Sequence, residues 1–258
     1  MRIHVIFFCA IIIVSCSKRK NKGLTPLLIA YADDVPRLMV KHEIRSAFEI
    51  ITNGNISRLN VDDTLNYYRL NLNKSVNQKL RSFMCCSYDY EFDSLGILKQ
   101  KREFTDYTEY FTFERERKID TIFENMRSNF GWSIDYEYLL KNEKIISKIG
   151  EINKESYQKG VVFYDVTNYN YNEEGLLTKK NQTQLNYPGS DFSYRKTEQS
   201  YVWDDDVLKH VSILYFYNDK DIEPNYIINI KYDSIGFPFM KTMIQKKDTL
   251  YQTFIIKK

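Results

Sequence analysis

The sequence predicts an all-β chain, built of consecutive antiparallel β-hairpins that form one long twisted sheet, with room for a short helix near the start. Three observations predict it. Aromatic residues make up 15% of the chain, with 21 tyrosines, and aromatic and β-branched side chains suit a pleated, half-buried surface. Apolar and polar residues alternate with period two over many short stretches. Three stretches also align on a glycine: YEFDSLGIL (90–98), YNYNEEGLL (169–177) and IKYDSIGFP (230–238).

Each part of the shared pattern has a physical reason. Tyr90 and Phe92 alternate with Asp89 and Glu91, Tyr169 and Tyr171 with Asn170, and Ile230 and Tyr232 with Lys231. The six apolar residues should therefore share one covered side of the sheet and the polar ones the solvent side. Asp93, Asn172 and Asp233 can bond their own backbone and open a turn. Gly96, Gly175 and Gly236 supply a residue at ease with positive φ. An apolar residue then starts the return strand. Degenerate copies at FTFERERKI (111–119), YLLKNEKII (138–146), YVWDDDVL (201–208) and YFYNDKDI (215–222) keep the alternation and a polar turn but lose the glycine, which longer polar turns tolerate.

The region 36–82 stays open between helix and hairpin. Val40, Ile44, Ala47, Phe48 and Ile51 fit helical spacing, with Asp34 as a cap, Pro36 in the first turn and Gly54 as a stop. Asn53-Gly54 is equally a two-residue hairpin signal, and the repeat register favours the hairpin. No proline-rich or low-complexity linker divides the body, so residues 26–258 read as a single domain.

The first residues carry a different message. Arg2 and His4 make a short polar head, and Val5 to Val14 form an unbroken apolar run. That run is well short of the roughly 20 residues a membrane-spanning helix needs, but fits the core of a signal peptide. The stretch Ile13-Val14-Ser15-Cys16 resembles the lipobox of bacterial lipoproteins. The resemblance implies cleavage after residue 15 and acylation of Cys16, so that 1–15 is a signal peptide and 16–25 a lipidated basic tether. Ile13 stands where the lipobox usually has Leu, and Lys18, Arg19, Lys20 and Lys22 follow the apolar run directly. Ser17 after the cysteine points toward the outer membrane, on either its periplasmic or its surface side.

Five of the 37 basic residues are Arg2 and those four, so the body holds slightly fewer bases than the 34 acids. A body without a strongly basic field speaks against nucleic acid as a partner. Beyond Cys9 and Cys16 only the adjacent pair Cys85 and Cys86 remains. Neighbouring Cα atoms lie about 3.8 Å apart, below the usual disulfide range, so the pair reads as two small strand residues.

Chemistry-bearing patterns are scarce. His42 and His210 are the histidines after His4, with no neighbouring Cys or His to complete a zinc site, and both read as polar strand positions. Asp204-Asp205-Asp206 and Glu173-Glu174 read as solvated turns, because the alternating acceptors and distant Glu of a calcium loop are missing. No nucleophile elbow, P-loop or dinucleotide-binding glycine pattern occurs. The expectation is therefore no catalytic residue, no metal and no cofactor. Tyr107, Tyr110 and Tyr187, outside the alternating stripe, are the candidates for a binding surface.

The glycine-aligned hairpins resemble the YD repeats of the RHS family. The resemblance covers most of 40–258 and implies architecture. The encapsulating role of large RHS proteins does not carry over, since this chain has too few hairpins to close a shell. The expected function is a non-catalytic envelope lipoprotein acting as a binding or structural module. It would be held at the membrane by its lipid and would contact another protein or a glycan. The alternatives are an immunity-type protein that binds a toxin, and an envelope hydrolase.

Overall fold

The computed structural model describes residues 24–31, 33–52, 64–73, 75–80, 87–104, 108–152, 164–185, 194–217 and 222–258. Two short helices, α1 (Thr25–Ala30) and α2 (Val35–Lys41), precede sixteen strands. These are β1 (Ser46–Thr52), β2 (Thr64–Leu70), β3 (Ser75–Leu80), β4 (Ser87–Phe92), β5 (Leu98–Phe104), β6 (Thr108–Lys118), β7 (Thr121–Ser128) and β8 (Ser133–Lys141). The second half holds β9 (Lys144–Ile152), β10 (Tyr164–Tyr171), β11 (Leu177–Leu185), β12 (Tyr194–Asp204), β13 (Val207–Phe216), β14 (Tyr226–Tyr232), β15 (Pro238–Gln245) and β16 (Asp248–Lys257).

Each strand pairs antiparallel with its chain neighbours, as consecutive hairpins require. The expected long sheet, however, has no free edges. β1 pairs with β16 from Ala47 opposite Lys257 to Thr52 opposite Gln252, and the sheet closes into a barrel. Closure satisfies the backbone groups that two open edges would leave unpaired. The long twisted sheet is thus a closed one: sixteen strands form a barrel around the chain's own N-terminal helices.

The three glycine-aligned turns share one geometry. Asp93, Asn172 and Asp233 accept at Oδ1 from the backbone N–H four residues on, at 2.9, 2.7 and 3.0 Å. Gly96, Gly175 and Gly236 sit at φ of 80°, 88° and 75°. We expect Gly236→Val to cost at least ~1 kcal/mol, because a β-branched residue is strained at positive φ; a shift in the denaturant midpoint measures it. A fourth copy escaped the sequence pattern. In Ser128-Asn129-Phe130-Gly131, Ser128 Oγ takes the place of the carboxylate, accepting from Phe130 N at 3.2 Å, and Gly131 lies at φ 89°.

Three of the four glycine-free turns are shorter than expected, while the one after β13 is long, from 217 to 225. β6–β7, β8–β9 and β12–β13 are joined by two residues each, at 119–120, 142–143 and 205–206. Two-residue hairpins demand left-handed backbone, and Ile119, Asn142, Glu143 and Asp205 supply it at φ between 45° and 60°. Asn53-Gly54 lies outside the described residues, and the partner of β1 begins at Thr64. Both readings of the ambiguous region held in part: α2 takes the helix, with Asp34 and Pro36 at its start, and β1 takes the strand.

Connections after even-numbered strands are all tight, so one end of the barrel is closely trimmed; the long connections lie at the other. α2 plugs the trimmed end. Leu38 and Met39 pack there with Ile44, Ala47, Tyr68, Val76, Phe237 and Ile255. Leu27 and Ala30 of α1 pack deeper, against Ile97, Ile122, Tyr138, Ile145, Tyr169 and Leu177. The expected stripe shares this inner face: Tyr169 and Tyr232 are buried, while Tyr90, Phe92, Tyr171 and Ile230 are half-buried. Asn170 and Lys231 are exposed on the outer face, and Asp89 and Glu91 are half-exposed there.

Candidate functional site: a charged cavity inside the barrel

Strand alternation puts charge inside as well as outside. In β6, Phe111 and Phe113 point inward, so period two carries Arg115 and Arg117 inward as well. In β7 it carries Glu124 inward between Ile122 and Met126. Arg115 Nε bonds Glu124 Oε2 at 2.6 Å, with the two side chains only 10% and 6% exposed. Arg115 Nη1 also donates to the carbonyl of Leu98. Tyr138 Oη donates to the other Glu124 oxygen at 2.8 Å and lies 3.3 Å from Tyr31 Oη, just after α1. A relay of polar contacts thus joins the wall to the N-terminal segment.

Lys148 forms the second group. Its Nζ sits 3.7 Å from the ring centroid of Tyr136 and 4.0 Å from Asp165 Oδ2. Burial penalises the ammonium, but Tyr31, Tyr136 and the carboxylates of Asp165 and Glu124 outweigh this and hold its pKa above the ordinary lysine value. Tyr136 can lie flat here because its cross-strand partner is Gly150. A Cβ at position 150 would come within 2.3 Å of the ring. Burial pushes the Tyr136 phenol up to about 12, so it stays neutral.

Between these groups and the helices lies a cavity of about 200 Å³. Its apolar wall includes Leu27, Phe92, Phe113 and Met126, and its polar wall Tyr31, Asp34, Arg37, Arg115, Glu124 and Lys148. Arg37 donates through Nη1 to Leu28 O, while its covered Nε has no protein acceptor. Apolar walls with a few converging polar groups are the usual make-up of a small-molecule site.

Burial raises the Asp34 carboxyl to about 6, against the opposing pull of Arg37. An acid with a raised folded pKa binds more protons when folded, so stability falls as pH rises from about 4 through 6. We expect this group to account for roughly 2 kcal/mol of that fall, after allowance for its partial exposure. Asp34→Asn should remove that part of the slope, as read from denaturation midpoints across pH 4–7.

The residues singled out from sequence scatter. His42 caps α2 instead of lying on a strand, and its covered Nε2 has no protein partner. His210 points outward on β13, opposite Val202 and Lys231. Asp204 ends β12 and Asp205-Asp206 form the turn, exposed, as do Glu173 and Glu174 in theirs. Tyr110 is on the outer face, 38% exposed. Cys16, Cys85, Cys86, Tyr107 and Tyr187 lie outside the described residues. Among the described residues, no cluster of three metal-ligating side chains occurs.

No family model matches the sequence, and no curated protein matches it. Two solved structures align with most of the chain at low identity. One is a porin-like protein from Bacteroides vulgatus ATCC 8482, at 9% identity and TM-score 0.35, covering 83% of this chain and 98% of that one. The other is a porin-like protein from Bacteroides uniformis ATCC 8492, at 10% identity and TM-score 0.31, covering 83% of this chain and 96% of that one. At such identities the porin-like description belongs to those two proteins.

The outer wall of this barrel has its own chemistry. Asp89, Glu91, Glu114, Glu116, Asp135, Glu137, Glu151 and Glu198 all point outward, spread from β4 to β12, with Asp89, Glu114, Glu137 and Glu198 near the middle of their strands and the others nearer the ends. β8 shows the polarity most simply: Ile134, Tyr136, Tyr138 and Leu140 are buried, and Asp135, Glu137, Leu139 and Lys141 are exposed. A lipid-spanning barrel has the reverse order, an apolar outer band around a polar interior.

Proposed function

We propose that the chain is a non-catalytic envelope lipoprotein whose barrel stands in water beside the membrane, held there by acylated Cys16, and acts as a binding module. The outward-facing acids of β4 to β12 carry this reading. Placed in hydrocarbon, these charges would be costly on each strand that carries them, β4, β6, β8, β9 and β12; in water they make an ordinary surface. A water-facing barrel at the membrane then needs an anchor, and the Ile13-Val14-Ser15-Cys16 sequence supplies one. Several acyl chains, at ~0.8 kcal/mol per buried CH₂, suffice to hold it.

The interior cavity supports binding over catalysis. Its ionic groups are engaged with one another, Arg115 with Glu124 and Lys148 beside Asp165. The unmatched donor is Arg37 Nε. A small ligand with one anionic or carbonyl acceptor and an apolar body fits that combination.

Labelled palmitate tests the anchor. The wild-type chain should take up label, and Cys16→Ser should take up none and persist as the unprocessed precursor. Label in the Cys16→Ser chain, or none in the wild type, removes the anchor from the account.

A further inference from the structure

The outer wall is not uniform. The seven strands from β13 through β16 and on to β1, β2 and β3 contain only two acidic residues. One, Glu49, points inward and is 2% exposed. The other, Asp248, opens β16 at its turn. The outward positions of this sector are instead apolar, basic or uncharged polar, with Ser212, Asn229, Thr242 and Gln252 forming one polar row across β13 to β16. Phe48, Tyr67, Met240, Phe254 and Ile256 lie on the outer face of four neighbouring strands, linked by the register Lys231–Met240–Phe254 on one row and Ile256–Phe48–Tyr67 on the next. The rings of Phe48 and Tyr67 lie 4.9 Å apart, and Ile256 is 37% exposed. Arg69, Lys79, Lys231 and Lys258 are all exposed, on or bordering this strip. Lys258 Nζ sits 5.5 Å from the ring centroid of Phe48.

We propose that this sector is the face with which the barrel rests on a bilayer leaflet containing anionic phospholipid. The inference builds on the anchored, water-facing reading above. An apolar strip bordered by lysine and arginine and lacking acids matches the layered chemistry of such a surface. Apolar side chains enter the headgroup boundary, and the cations meet phosphates. The opposite wall, with its outward acids on β4 to β12, faces away. A patch of aromatic and aliphatic side chains on a water-facing wall calls for a partner. The sign of its border selects an anionic one, and an acyl chain near the N-terminus keeps that partner within reach at all times.

The test uses the full-length chain in cells whose phospholipid carries radioactive phosphate, with the photoreactive residue p-benzoylphenylalanine placed singly at Phe48, Phe254 or Phe123. Phe123 points outward on β7, opposite Glu137, and serves as the control on the acidic wall. Irradiation should give phospholipid adducts at 48 and 254 but not at 123. Lys231→Gln and Lys258→Gln should each lower the adduct yield at 254 about fivefold. Absence of lipid adducts at 48 and 254, while Cys16 still incorporates palmitate, overturns the docking face and leaves the anchor standing. Adducts at 48 and 254 with protein instead assign the face to a protein partner and overturn the proposal. Equal lipid adducts at all three positions mean that the whole wall sits in lipid, against both readings. If palmitate is not incorporated and no lipid adduct forms, the anchored reading fails along with the docking face.

Discussion

Replacing Glu49 by alanine should unfold the barrel more readily than almost any other single change, at a cost of about 3–5 kcal/mol. Glu49 sits on β1, at the seam where the first and last strands meet. Its carboxylate accepts from Asn66 Nδ2 on β2 at 2.6 Å and from Thr253 Oγ1 on β16 at 2.8 Å. It also pairs with Lys241 Nζ on β15 at 3.1 Å. One buried side chain therefore ties four strands across the closure. Burial raises its pKa, but Lys241 and the hydrogen bonds outweigh that and leave it below the ordinary glutamate value. A depressed acid contributes stability at neutral pH that is lost as pH falls through its folded pKa. Glu49→Ala leaves Lys241, Asn66 and the fully covered Thr253 without their shared acceptor. Lys241 is 23% exposed and can reach some water, which favours the lower part of the range. Glu49→Gln keeps an acceptor and should cost less. Denaturant titration of the three chains measures this, and a loss below ~1 kcal/mol for Glu49→Ala would show that the seam does not depend on the carboxylate.

The second large effect is expected at Tyr138. Among the described residues it is the largest of the fully buried side chains, 1% exposed, and its hydroxyl bridges Glu124 and Tyr31. Tyr138→Ala removes a ring from a close-packed interior and should cost about 3–5 kcal/mol. It also strips Glu124 of a donor inside the barrel. Tyr138→Phe isolates that second part, at roughly 1–2 kcal/mol. If Tyr138→Phe is neutral, the relay between wall and N-terminal segment contributes nothing to stability. Equal losses in the two variants would place the whole effect in the hydroxyl.

Local elements were legible in the sequence where local rules decide them. The Asp-x-x-Gly turns declared themselves, because a carboxylate that caps its own backbone and a residue with positive φ leave a fixed spacing. The strand faces around Tyr90, Tyr169 and Tyr232 followed from alternation. β1 did not follow. In Ala-Phe-Glu-Ile-Ile, alternation with apolar residues inside would send Phe48 and Ile50 inward and Glu49 to water. The structure turns Glu49 inward and Phe48 outward, with Ile50 still covered at 7% exposure, because Lys241, 192 residues away, supplies a counter-charge. The same blindness hid the closure of the barrel. Pairing of β1 with β16 rests on backbone groups at the two ends of the chain, and no local pattern records it. The cavity was equally hidden, since Arg115, Glu124, Tyr136 and Lys148 read one at a time as ordinary strand residues. The fourth Gly turn could have been found by admitting Ser in place of Asp or Asn, since its hydroxyl accepts from the N–H two residues on, as Asp93 and Asp233 also do.

The central claim, that the barrel wall faces water, is tested most directly at the middle of the wall. Single cysteines at Glu114, Glu137 and Glu198, in chains lacking Cys85 and Cys86, can be probed in isolated envelope fragments with a charged, membrane-impermeant maleimide. The water-facing barrel predicts rapid labelling at all three positions, at rates close to those of the unfolded chain in denaturant. Protection at all three in the native envelope, relieved only when detergent dissolves the bilayer, would mean that these positions lie in lipid, and would contradict the account.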